Sequence, residues 1–124
     1  MRSAIRGMHS PDADDLRNLD QKHPLDDFGV LVQVLVGPAD GPGEESFDVM
    51  VCSPKWLARE LKNGPLVGRH HLFLERWDFP TVEREIRRLF ETDGRSWEEL
   101  GQRLARFGHW EFEDYRPHPT EGRR

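Results

Sequence analysis

Between Gly29 and Gly37 the chain reads Val30-Leu31-Val32-Gln33-Val34-Leu35-Val36. Successive side chains of a strand point to opposite faces, so the four valines share one side while Leu31, Gln33 and Leu35 share the other. β-branched residues at this density suit a pleated strand and little else. A strand that is apolar on nearly both sides is usually central in its sheet. The rest of the chain must therefore supply neighbours for both edges and a cover for the valine side.

The flanking sequence offers these parts in order. Residues 4–9 form a short first strand, and 10–28 an acidic connection broken by Pro11 and Pro24. The turn residues Gly37 to Gly43 follow the valine strand. Phe47, Val49 and Val51 then alternate with Asp48 and Met50, which predicts an antiparallel hairpin. Ser53-Pro54 pairs an N-cap with a first-turn proline and opens a helix to about Lys62, stopped by Asn63-Gly64-Pro65. Leu57 and Leu61 of that helix sit four apart and are expected to face the core. His70 to Trp77 reads as a strand with Phe73 and Trp77 on one face. Pro80 to Glu91 carries the helical stripe Val82, Ile86, Leu89 and Phe90. Ser96-Trp97-Glu98-Glu99 is a capping box opening a third helix, with Leu100, Leu104 and Phe107 on its apolar side and Gly108 at its end.

These parts predict an α+β fold, an antiparallel β-sheet with about three helices packed on one face. A single domain over residues 1–115 and a polar tail over 116–124 follow. With the helices on the valine face, the other face carries Leu31, Gln33, Leu35, Asp48, Met50, Phe73, Glu75 and Trp77. That mixture is too polar for a dry core and too apolar for an idle surface.

Charge narrows the partners. Of 124 residues, 18 are basic and 23 acidic, and the excess is uneven: residues 1–50 carry −6 and residues 51–124 carry +1. Asp12, Asp14, Asp15, Asp20, Asp26 and Asp27 crowd into the 10–28 connection. Such a surface repels nucleic acid and anionic membranes and steers basic proteins inward. The lone Cys52 excludes an internal disulfide and suits a reducing compartment. No run approaches the ~18 apolar residues of a membrane span, and residues 1–10 hold no signal-type apolar core. A cytoplasmic location is the expectation.

Catalytic signatures are thin. Adjacent strand residues point oppositely, so His70 and His71 do not chelate one ion, and no helical His pair has zinc-motif spacing. No metal and no cofactor is expected. Ser53 is explained as a cap, and Gly37 to Gly43 leads into a strand, not into the helix a phosphate loop needs. Arg84, Arg87 and Arg88 are offset by Glu83, Glu85 and Glu91. Glu111, Glu113 and Asp114 alternate with Trp110, Phe112 and Tyr115. Aromatic residues beside carboxylates are typical of interface anchors. Trp77 shares that character, with core packing as the alternative for both Trp77 and Trp110.

Several stretches together resemble the immunity protein 8 family of bacterial polymorphic toxin systems. They are His9-Ser10-Pro11-Asp12 with Asp15-Leu16; Phe28-Gly29 to Gln33; Gly37-Pro38; and Glu45-Ser46-Phe47-Asp48. Val51-Cys52-Ser53-Pro54-Lys55-Trp56-Leu57, Gly68-Arg69-His70-His71-Leu72 and Trp110 to Tyr115 continue the likeness, from about residue 5 to 115. The resemblance implies a cytosolic antidote that binds and neutralises a cognate toxin domain without catalysis. It carries no catalytic or metal residues over. A basic, nuclease-type toxin is the partner that the acidic surface would suit. The expected contact residues are Asp12, Asp14, Asp15, Asp26 and Asp27 at the rim, with Trp77, Trp110, Glu111, Glu113, Asp114 and Tyr115 as anchors. The alternative is a small hydrolase or ligand-binding domain using the open sheet face as a pocket, with Glu75, Glu111 or Glu113 as acid–base groups.

Overall fold

The computed structural model describes residues 1–19 and 23–110. Its strands are β1 (Ser3–His9), β2 (Gly29–Pro38), β3 (Glu45–Cys52), β4 (His71–Phe73) and β5 (His109–Trp110). Its helices are α1 (Pro54–Leu61), α2 (Phe79–Phe90) and α3 (Trp97–Leu104). The strands form one five-stranded sheet in the order β1-β2-β3-β4, with β5 also pairing β3. The α+β class follows the sequence expectation, and the valine strand has neighbours on both edges.

The valine face is the core face. Val30, Val32, Val34 and Val36 are each 0% exposed. Their cross-strand partners Val51, Val49 and Phe47 are buried with them. α2 lays Val82, Ile86 and Phe90 into this cluster, and α3 adds Leu104. Leu89 completes the stripe from a half-buried position. Gly108 is held against the core: a Cβ there would come 3.0 Å from both Phe47 Cβ and Phe90 Cζ. Close approach explains this glycine, because α3 ends earlier on the αR residue Ala105.

Two details depart from the expected layout. The sheet is mixed, because β4 runs parallel to β3. Parallel neighbours need a crossover, and α1 with its following loop supplies it. α1 also lies away from α2 and α3. Gly29 alternates with Val30 and so points off the valine face. A Cβ placed on Gly29 would fall 2.2 Å from the Trp56 ring, so Trp56 of α1 covers that end of the other face. The pairing of Leu57 and Leu61 against the core fails accordingly, since α1 buries no residue fully and Leu61 is 47% exposed.

The strand foreseen over His70 to Trp77 stops at Phe73, and Trp77 is a correction to its placement on the open face. It is 6% exposed and joins the core. Its ring meets Phe28 edge-on at 5.3 Å, and its Nε1–H donates to the Leu16 carbonyl at 3.0 Å. The 10–28 connection is thereby anchored: Ala13, Leu16 and Leu19 are buried among acidic neighbours that stay outside. Ile86 tests the core assignment. Ile86→Ala should destabilise the fold by about 2–5 kcal/mol, read from chemical denaturation. A midpoint that does not move would contradict the packing of α2 on the valine face.

Candidate functional site

Residues opposite one another in register share a face, so the pairing maps the side of the sheet away from α2 and α3. In β1 a bulge at Arg6 breaks the alternation. Ile5 and Met8 both pair with valines, and Gly7 and His9 turn to the open side. Across the sheet, His9 pairs Gln33, Gln33 pairs Asp48, and Asp48 pairs His109. These four side chains make one polar rung over four strands. On one side of it lie Leu35 and Ser46, on the other Leu31, Met50 and His71. Leu31, Gln33, Leu35, Ser46, Asp48, Met50 and His71 are half-buried, and His9 and His109 are exposed. Phe73, paired with Cys52, is 46% exposed and stacks on the His71 ring at 5.7 Å. Cys52 is fully covered, and burial pushes its thiol up to about 11.

Asp48 accepts a hydrogen bond from Ser46 Oγ at 3.3 Å. Arg6 also reaches this side, at the far end over Gly37, where its guanidinium donates to the Pro38 and Gly41 carbonyls. Among the described residues, no three His, Cys, Asp or Glu side chains gather to hold a metal ion.

The acidic connection divides into two groups. Asp26 pairs with Lys55 at 2.6 Å and Asp27 with Arg59 at 2.5 Å, so α1 neutralises both. Asp12 accepts the Leu31 N–H at 2.9 Å, capping the edge of β2 beyond the end of β1. Asp15 accepts the Arg17 amide at 3.0 Å, and Asp14 and Asp15 face solvent. Trp110 is half-buried on the core side, stacked on Phe47 at 6.0 Å and lying over Gly101. Glu111, Glu113, Asp114 and Tyr115 lie outside the described residues. Glu75 is exposed beyond the end of β4. Two hollows of about 290 and 360 Å³ flank β1, sharing Met8, His9, Arg17 and Phe79, and a third of about 360 Å³ lies beside Trp56. Glu75 lines none of these three.

His9, Ser46, His71 and His109 were not singled out as site residues from the sequence. Ser46 follows from extending the alternation of β3. His71 and His109 depend on the pairing of β4 and β5, and His9 on the bulge.

The sequence pattern of one protein family, Immunity protein 8, matches residues 3–115. The chain belongs to the immunity protein 8 family. That match spans the first residue of β1 to beyond β5, so the whole sheet lies within it. No curated protein and no solved structure matches the chain significantly. Immunity proteins of this kind belong to toxin systems. Among the described residues, no helix of this family member is long and apolar enough to cross a membrane.

The Asp26–Lys55 pair gives a pH prediction. The Lys55 ammonium, by hydrogen bond and charge, holds the Asp26 carboxyl below its ordinary 3.8. The pair is therefore intact above the ordinary carboxylate range and is lost as pH falls through the lowered value. Lys55→Ala should return the Asp26 titration, followed by carboxyl NMR, toward 3.8. An unshifted titration would contradict the pairing.

Proposed function

We propose that this chain is a cytosolic antidote that binds a cognate toxin domain and blocks it by occupancy, with no chemistry of its own. The observation that carries the reading is the family match over residues 3–115. The architecture agrees with it. One face of the sheet is spent on the core, and the other presents half-buried leucines and a methionine around a polar rung. A mixed surface of this kind is compatible with a protein interface. A net charge of −5 favours a basic toxin, such as one that acts on nucleic acid. Asp14 and Asp15 are exposed acidic rim groups available to steer it. Trp110 and the carboxylates Glu111, Glu113 and Asp114, with Tyr115, are candidate contacts by composition.

The test is direct. A cognate toxin domain, sought first in the product of the adjacent gene, should form a stoichiometric complex with the chain and lose activity as the complex forms. Toxin activity undiminished by a molar excess of the chain would overturn the reading. Rim charges act mainly on encounter. The double substitution Asp14→Lys, Asp15→Lys should therefore slow association and flatten its salt dependence while leaving dissociation nearly unchanged. Stopped-flow measurements at two salt concentrations check this, and an unaltered association rate would remove the rim from the account.

A further inference from the structure

Asp48 occupies an unusual position for a carboxylate. It sits at the middle of the open face, half-buried, with Leu31 and Met50 on one side and Leu35 on the other. Among the described strand residues on this face it is the one carboxylate. Arg6, the one Arg or Lys among those residues that reaches this side, is tied to the Pro38 and Gly41 carbonyls at the far end. Among the described residues its hydrogen-bond partner is a neutral hydroxyl, Ser46 Oγ, at 3.3 Å, and His109 stands opposite it in register. An ionised carboxylate offers two oxygens with about four acceptor directions, and among the described residues the Ser46 hydroxyl takes one of them. Excluding water from the remainder under a partner is costly unless the partner brings a cation.

From this we infer that Asp48 is the anchor for a basic side chain, an arginine, presented by an apolar patch of the toxin that docks on the open sheet face. The inference rests on the functional reading above and names the contact surface. Arginine fits better than lysine for a geometric reason. Its guanidinium is planar with about five donors. The rung offers acceptors side by side: the Asp48 carboxylate, the Gln33 amide oxygen next to it, and the Ser46 hydroxyl. Rung neighbours stand about 5 Å apart, which a guanidinium spans. Leu31, Met50 and Leu35 would flank its aliphatic stem and exclude water, so the charge pair would gain strength on docking.

The experiment uses the full chain and the cognate toxin domain identified by the complex-formation test above, with calorimetric affinity and a melting curve for each variant. Asp48→Asn keeps the shape and the hydrogen bond to Ser46 and removes the charge. It should weaken binding by about tenfold to a hundredfold at an unchanged melting temperature. Leu35→Lys places a competing cation beside Asp48 and should weaken binding by at least as much. Arg84→Ala, at an exposed site on α2, should change nothing. If the wild-type chain binds and both face variants bind equally well, the Asp48 anchor is wrong and the antidote reading stands. If the wild-type chain does not bind the toxin domain, the antidote reading fails and takes the anchor with it. If Asp48→Asn does not fold, Leu35→Lys alone decides.

Discussion

Four valines spaced two apart, each at 0% exposure, press one face of β2 against α2 and α3. Because strand side chains alternate strictly, this contact also fixes where Leu31, Gln33 and Leu35 point. A register slip of one residue would send the valines to water and the glutamine to the core. The same burial orders β3 through the Val30–Val51, Val32–Val49 and Val34–Phe47 pairs, and with it Met50, Asp48 and Ser46 on the far side. The open face is thus the obligatory complement of the core face, and its composition is free to serve something other than folding.

Closing the rest of the fold falls to a few buried polar contacts. Ser3 Oγ donates to the Phe90 carbonyl at 2.6 Å and accepts the Thr92 amide at 2.9 Å, tying β1 to the end of α2. Ser53 does the same at the opposite corner. Its Oγ accepts from the Phe28 and Trp56 amides, so one hydroxyl joins the start of β2 to the cap of α1. Both serines are fully buried, and each satisfies backbone groups that would otherwise be stranded. Trp77 clamps the acidic connection through Leu16, which keeps Asp14 and Asp15 on a fixed loop.

Local chemistry was legible in the sequence where a single residue carries it. Ser96 caps α3 by accepting the Glu99 amide, and the stripe of α2 lands on the core as its spacing requires. The capping box is altered in one bond, since the Glu99 carboxylate accepts from the Arg95 amide. Non-local facts were less legible. Nothing in His71-Leu72-Phe73 specifies a parallel pairing; that depends on α1 carrying the chain across. Trp77 alternates plausibly with Phe73, yet its strand ends four residues earlier. The burial of Ala13, Leu16 and Leu19 had a signal, apolar residues at a spacing of three within an acidic run, that charge alone concealed. The open face was read correctly for Leu31, Gln33, Leu35, Asp48 and Met50. Its histidines depend on a bulge, on the parallel pairing of β4 and on a two-residue strand that no periodicity announces.

On the proposed reading, a sheet with one face for stability and one for recognition separates the two demands on a small domain. Substitutions on the valine face should then act through unfolding, and those on the open face on binding, with the fold nearly untouched. Methyl NMR tests this division most directly, because both faces carry methyl groups. On adding the toxin domain, the Leu31, Leu35 and Met50 methyls should shift strongly while those of Val30, Val32 and Val34 hold their positions. Binding that left the Leu31, Leu35 and Met50 methyls unmoved would contradict the account.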